Sequence, residues 1–242
     1  MGLHISDNFN LDPGAGGRAR SSPEIRIAEV FFSIQGEGPT AGHPAVFVRL
    51  QGCSVGCTWC DTKYSWSPEG GKATDLDALV TDVGAHRCHR VVITGGEPLE
   101  SPMFASLCRE LAGRGFVLEV ETSCTVAPPA DLPSAIQWNV SVKLAGSGVP
   151  ATRRINAGAI RALLELDSWW KFVVTGESDV GEALQLAEAF ALPRERILLQ
   201  PEALSREAFI ERAPWVVEQC KQHGLRFSPR LHTVMWGARR GV

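Results

Sequence analysis

The chain has 242 residues, 44% of them hydrophobic, with 24 basic and 27 acidic side chains and a formal charge of −3. This balance excludes a general electrostatic pull toward nucleic acid or an anionic membrane, and no apolar run reaches the roughly 18 residues that a bilayer span requires. The N-terminus lacks the apolar core of a secretion signal, so a soluble cytoplasmic protein is expected. The seven cysteines fit a metal centre better than a disulfide scaffold, because three of them crowd together.

Residues 1–24 are rich in Gly, Arg, Ser and Pro without periodicity and are expected to be disordered, leaving 25–242 to fold as one domain. Ala28–Ile34 and Ala45–Leu50 read as strands, separated by a loop from Gln35 to Pro44 that holds three glycines and two prolines. Cys53–Trp66 reads as a loop. The spacing of Leu76, Leu79, Val80 and Val83 predicts a helix over Asp75–Ala85, with Thr74 as its N-cap. A buried strand is expected at Arg90–Thr94, running into Gly95-Gly96, then a helix over Ser101–Ala112 with a proline near its start.

Phe116–Glu121 and Ile136–Val142 are expected as strands, with few helical signals over Ala127–Pro150. Further on, the pattern predicts a helix over Thr152–Leu166, a strand over Ser168–Val174 and a helix over Val180–Phe190. A strand over Arg196–Gln200 and a long helix over Ser205–His223, closed by Gly224, complete the series. Five or six strand–helix alternations predict an α/β fold with a parallel sheet. Periodicity leaves a doubly wound sheet and a partial barrel both open; in either, chemistry gathers at the C-terminal strand ends.

The segment Cys53-Ser-Val-Gly-Cys57-Thr-Trp-Cys60 has C-x3-C-x2-C spacing. Short spacings let one loop wrap several thiolates around a single centre, and thiolates are the ligands of iron–sulfur clusters. Three ligands on a four-iron cluster leave one iron open to a substrate or cofactor. A structural zinc site is the alternative; it needs a fourth ligand, for which His43, Cys88 and Cys124 are candidates that no spacing marks.

With these features the sequence resembles the radical S-adenosylmethionine superfamily: an aromatic residue, Trp59, precedes the third cysteine, and Gly95-Gly96-Glu97-Pro98 follows a strand downstream. It is more closely similar to the 7-carboxy-7-deazaguanine synthase family. The resemblance is carried by EVFFSIQGEGPTAGHPAVFVRLQGC, CDTKYSW, VVITGGEPL, ETS, LLQP and SPRLHTVMWGARRGV, and runs from about Glu29 to Val242. The stretch Ile34-Gln35-Gly36-Glu37-Gly38 sets it apart from the activating enzymes of glycyl-radical enzymes, which share the cysteine loop.

The resemblance implies a partial TIM-type (β/α)6-like barrel as a radical SAM core over 25–242. It implies a [4Fe–4S] cluster on Cys53, Cys57 and Cys60. S-adenosylmethionine would lie against Trp59, Cys60, Asp61, Gly96, Glu97, Ser141, Val142, Lys143, Gln200 and Pro201, with the carboxylate of Glu97 meeting the cofactor's ammonium. The pterin substrate would be held by Ile34, Gln35, Gly36, Arg49, Thr94 and the end of the chain at Val242, and Thr62 would ligate Mg²⁺. The implied reaction is a radical ring contraction of 6-carboxy-5,6,7,8-tetrahydropterin, with loss of ammonia. A small electron donor such as flavodoxin or ferredoxin and a homodimer are implied as well.

Structural readings stand beside several of these roles. Arg49 could pair with Glu29 or Glu119, Thr62 could cap a turn, and Glu121 could be a strand-end ion-pair partner. His232 fits a core or a substrate position, Trp236 could line the pocket, and Cys88, Cys108, Cys124 and Cys220 read as buried small hydrophobes.

Overall fold

The computed structural model describes residues 24–237 and 239–242. In chain order the elements are β1 (Glu24–Ile34), β2 (Pro44–Leu50), β3 (Lys72–Asp75), α1 (Leu76–Ala85), β4 (Arg90–Gly95), α2 (Phe104–Gly113), β5 (Val117–Thr122) and β6 (Ile136–Val140). They continue as α3 (Ala151–Arg154), α4 (Ala157–Leu164), β7 (Ser168–Val174), α5 (Glu177–Ala189), β8 (Ile197–Pro201), α6 (Arg206–His223), β9 (Arg226–Phe227) and α7 (Leu231–Trp236). The disorder expected of residues 1–24 falls outside the described residues, apart from Glu24, which opens β1.

The strands form one sheet in the order β3-β1-β2-β4-β5-β6-β7-β8-β9. β1 runs antiparallel to β2 and β3, and every pair from β2 to β9 is parallel. From β5 onward each strand lies beside its predecessor in the chain. A doubly wound sheet reverses its strand order at a switch point; this sheet does not, so it winds one way as a partial barrel does.

The period-2 alternation of strand side chains then separates two faces. Val46, Val48, Leu50, Val91, Ile93, Leu118, Val120, Trp138, Val140, Trp170, Phe172 and Leu199 all enter one core cluster, with Leu79, Val83, Phe104, Leu107, Ile160 and Val216 from the helices. The intervening positions point the other way. Along the parallel strands they include Arg49, Thr94, Glu119, Glu121, Asn139, Lys171 and Gln200. Near the cross-strand level where Arg49 pairs with Thr94, the inner face is therefore polar from β2 to β8.

Several local expectations change. Asp75, not Thr74, caps α1: its carboxylate accepts from Asp77 N (2.9 Å) and Ala78 N (3.2 Å), while Thr74 belongs to β3 and pairs with Ile25. The predicted helix over 152–166 is two helices, because Asn156 breaks it. Its side chain accepts from Ala159 N at 3.1 Å as the N-cap of α4, an arrangement Asn favours over a helix interior. α2 starts at Phe104, beyond Pro102. β3, β9 and α7, each two to six residues long, were not expected. Gly224, with φ 63°, caps the C-terminus of α6 as the sequence predicts, and Ser205, expected as its first residue, is instead its N-cap.

Candidate active site

A cavity of about 490 Å³ opens at the C-terminal ends of the parallel strands. That size suits a small-molecule site. Three loops meet there: the cysteine loop after β2, the Gly-Gly-Glu-Pro turn after β4, and the segment 35–44 between β1 and β2. Cys53, Cys57, Cys60, Trp59, Asp61 and Thr62 all line it, as do Ile34, Gln35, Gly36, Arg49, Thr94, Gly96, Ser141, Lys143, Gln200 and Val242. Among the expected site residues, Val142, Pro201 and Glu97 are buried and do not line the cavity. Trp236 does not reach the lining, although its neighbours Thr233 and Gly237 do.

The three clustered cysteines are free thiols, and burial raises the pKa of Cys53 and Cys57. Trp66 Nε1 donates to Cys60 Sγ at 3.3 Å, and Thr62 Oγ1 lies 3.5 Å from the same sulfur. Among the described residues no three His, Cys, Asp or Glu side chains converge on a single ion. A mononuclear zinc site requires that convergence. Cys53, Cys57 and Cys60 all line one cavity, an arrangement that fits a multi-iron cluster taking one thiolate per iron. Thr62 precedes a short 3₁₀ turn, but its hydroxyl does not cap that turn, so the donor remains on the cavity side.

The glycines after β4 have a steric cause. A Cβ on Gly96 would collide with the Gly52 carbonyl and with Cys53. The turn therefore packs directly on the cysteine loop, and Glu97 N donates to Gly52 O at 2.8 Å. The Glu97 carboxylate accepts from Leu99 N (3.1 Å), Thr122 Oγ1 (2.7 Å), Ser123 N (2.7 Å) and Ser123 Oγ. Burial raises its pKa and these four bonds oppose the rise. Glu97 thus ties the turn to the end of β5.

On the inner face, Gln35 is fully engaged. Its Nε2 donates to Glu119 Oε1 (2.6 Å) and to Glu121 Oε1 (3.1 Å), and its Oε1 accepts from Glu37 N (3.1 Å). Thr94 Oγ1 donates to Glu121 Oε2 at 2.8 Å, so Glu121 presents an oriented carboxylate to the cavity. Glu119 is fully buried and also accepts from Thr40 Oγ1, Asn139 Nδ2 and Arg90 Nη1. Arg49 bonds Glu29 Oε1 through Nε at 2.8 Å, the ion pair the sequence offered as an alternative, while still lining the cavity.

A second charged group joins His232, which the sequence leaves between a core and a substrate position, to Glu37, Lys171 and Arg230, for which sequence reasoning gives no site role. Glu37 bonds Lys171, lies 3.0 Å from Arg230 Nε and 3.8 Å from His232 Nε2. Burial alone would raise the Glu37 pKa; Lys171, Arg230 and His232 together hold it well below the carboxylate range. Arg230 also reaches Asp61 and the Ala203 carbonyl, which joins the cysteine loop to the 35–44 loop through one guanidinium. Burial opposes protonation of His232, whose pKa is lowered despite Glu37 nearby. Lys171 was legible in principle: a lone lysine in Ser-Trp-Trp-Lys-Phe-Val-Val shares strand parity with a cavity face. Arg230 and His232 lie in the stretch Ser-Pro-Arg-Leu-His that carries the resemblance, but β9 and α7, which bring them to the cavity, are too short to be read from periodicity.

Three comparisons with known proteins bear on this site. Residues 47–138 match the family model of the Radical SAM superfamily. A curated 7-carboxy-7-deazaguanine synthase of Pyrobaculum aerophilum is 38% identical over 230 residues, covering 91% of this chain and 99% of that protein. Another, from Hyperthermus butylicus, is 35% identical and covers 87% and 92%. Among solved structures, QueE from Escherichia coli superposes with a TM-score of 0.69 at 28% identity, over 86% of this chain and 95% of that one.

Proposed function

The chain belongs to the 7-carboxy-7-deazaguanine synthases of the radical S-adenosylmethionine superfamily, and from that premise we propose how its cavity divides the work. The reaction converts 6-carboxy-5,6,7,8-tetrahydropterin to 7-carboxy-7-deazaguanine with loss of ammonia, in queuosine and deazapurine biosynthesis. When bound, a [4Fe–4S] cluster and S-adenosylmethionine supply the electron and the 5′-deoxyadenosyl radical that removes hydrogen from substrate carbon. The chain binds, orients and excludes water.

Cys53, Cys57 and Cys60 hold the cluster. The observation that carries this reading is that three thiols of one loop face, across a single cavity, a sheet face that is polar from β2 to β8. Gly96, Ser141, Lys143 and Gln200, with the backbone of Trp59, Cys60 and Asp61, meet S-adenosylmethionine. Val142 and Pro201 contribute through main chain alone, and Glu97 contributes by fixing the turn. Arg49, Thr94, Ile34 and Gly36 contact the pterin, and Gln35 does so through its backbone, because its amide is committed to Glu119, Glu121 and Glu37. Glu121, Glu37 and His232 add polar edges to the same pocket.

Thr62 offers one hydroxyl to Mg²⁺, and substrate oxygens complete a shell that a hydroxyl alone cannot. An acidic one-electron carrier of the flavodoxin or ferredoxin kind supplies the electron, and the enzyme works as a homodimer in the cytoplasm. Among the described residues no helix is long and apolar enough to cross a membrane.

The test is anaerobic turnover of 6-carboxytetrahydropterin by reconstituted protein, alongside iron, sulfide and zinc analysis. Cys57→Ala should lose iron and activity, and Cys108→Ala, whose thiol is buried with its pKa pushed up to about 12, should keep its iron. Thr62→Ala should lose the Mg²⁺ response. Stoichiometric zinc in place of iron would overturn the cluster assignment. 5′-Deoxyadenosine formed without deazaguanine would point to a different radical reaction.

A further inference from the structure

Beyond the loops at its base, the cavity is lined by residues from past the end of α7: Gly237, Arg239, Arg240, Gly241 and Val242. α7 stops at Trp236, and Gly237 (φ 62°) turns the chain back over the cavity; Gly241 has φ 68°. Such angles suit glycine. The Arg240 side chain makes two contacts on one spot. Its guanidinium carbon stands 3.5 Å above the centroid of the Tyr64 ring, and its Nε lies 3.7 Å from Glu29 Oε2.

That spot is already tied to the site. Glu29 Oε1 accepts from Arg49 Nε at 2.8 Å and from the Tyr64 hydroxyl at 2.5 Å. Tyr64 lies two residues beyond Thr62. One carboxylate thus joins Arg49 on β2, the end of the cysteine loop and the segment 239–242. A planar guanidinium suits this position, because it can lie on an aromatic face and still offer its edge to a carboxylate.

We propose that Arg240 is a positioning residue: stacked on Tyr64 and bridged to Glu29, it straps residues 239–242 across the mouth of the cavity and so holds Arg49 and the pterin beneath it. Arg240 is more than half exposed, at 56% of its side chain, so the strap is held by moderate forces. An exposed cation–π contact and an exposed ion pair together shift a closed–open equilibrium by about three- to thirtyfold. The strap is therefore built to open for substrate and product and to close between.

The strap itself is read by limited trypsinolysis of the cluster-free protein, with mass spectrometry of cleavage after Arg239. Tyr64→Leu keeps both tryptic sites and removes the ring; it should speed cleavage about three- to thirtyfold. Tyr64→Phe keeps the ring and should stay within twofold of wild type. Arg240→Ala, a substitution on the exposed side that leaves the core intact, should match Tyr64→Leu at the bond after Arg239, and the double variant should add nothing. Cleavage at the wild-type rate in Arg240→Ala would overturn the strap.

The positioning role rests on the reaction proposed above and is read separately. Arg240→Ala should raise KM for 6-carboxytetrahydropterin at least threefold with kcat within twofold, and Arg240→Lys should restore KM only in part. Released cleavage with an unchanged KM would overturn the positioning role. Failure of the wild type to make deazaguanine would count against the reaction and leave the trypsin result standing.

Discussion

Glu97 is a carboxylate with its acceptor sites filled. Leu99 N and Thr122 Oγ1 meet one oxygen, and Ser123 N and Oγ meet the other. In Glu97→Gln an NH₂ group replaces one of these oxygens. The hydroxyls of Thr122 and Ser123 can turn to accept from it, but a backbone N–H cannot, so one buried main-chain donor is left facing another donor in either amide orientation. Leaving a buried donor unsatisfied costs about 1–3 kcal/mol. Urea unfolding of the cluster-free Glu97→Gln variant should show a loss of that size. A variant as stable as wild type that has lost only cofactor affinity would return Glu97 to direct contact with the ammonium, the role the Gly-Gly-Glu-Pro motif first suggests. The motif located the residue and left the direction of its side chain open. Gln35 is similar: its place beside the site was legible in Gln-Gly-Glu-Gly, whereas the engagement of its amide depends on Glu119 and Glu121, more than 80 residues away.

At the scale of elements, the long parallel strands were legible because a run such as Arg-Val-Val-Ile-Thr is buried on both faces and bounded by turns. What was not legible were short pieces held by their neighbours. β3 is Lys-Ala-Thr-Asp, an edge strand defined by pairing with β1, and β9 is two residues added to the edge of β8. The cap of α1 went to the wrong residue for a related reason: Thr74 and Asp75 both suit an N-cap, and pairing of Thr74 with Ile25 leaves the cap to Asp75. Two substitutions separate these roles. Asp75→Ala removes an acceptor for two backbone N–H groups and should destabilise by about 0.5–2 kcal/mol. Thr74→Ala should stay within about 0.5 kcal/mol of wild type, as a substitution away from any cap. Equal losses in thermal or urea unfolding would refute the assignment of the cap. The break at Asn156 gives a third case: Asn156→Ala removes the acceptor for Ala159 N and should cost about 1 kcal/mol, although it improves the helix propensity of the predicted 152–166 run.

Over the whole molecule, the alternation that buries one face of the sheet under helices concentrates charge on the other. Most of that charge is paired. Glu37 meets Lys171 and Arg230, Asp61 meets Arg230, and Arg49 meets Glu29. These pairs have opposite pH consequences from those of the carboxylates held mainly by neutral donors. Burial would raise the pKa of Glu37 and Asp61, but the cations beside them hold both lowered. A lowered carboxylate contributes its full stability above its ordinary value, 4.5 for Glu37, and loses it as the pH falls below that.

Glu97 and Glu119 are raised, chiefly by burial. The folded state takes up their protons first, so their contribution falls as the pH rises through the raised values, and they partly offset the acid loss from Glu37 and Asp61. The wild-type acid limb is the sum of these terms, and Glu37→Gln isolates one of them. At pH 7 the variant leaves Lys171 and Arg230 without their buried anion and should be less stable by about 3 kcal/mol. As the pH falls below 4.5 the unfolded wild-type chain takes up a proton at Glu37 while the folded state, with its lowered pKa, does not, so the gap between the two proteins should narrow steadily toward pH 3. Urea midpoints of the cluster-free proteins across pH 3–7 measure it. A gap that stays constant over that range would mean that Glu37 acts through packing or hydrogen bonds alone, and that the charge pairing with Lys171 and Arg230 contributes nothing to stability.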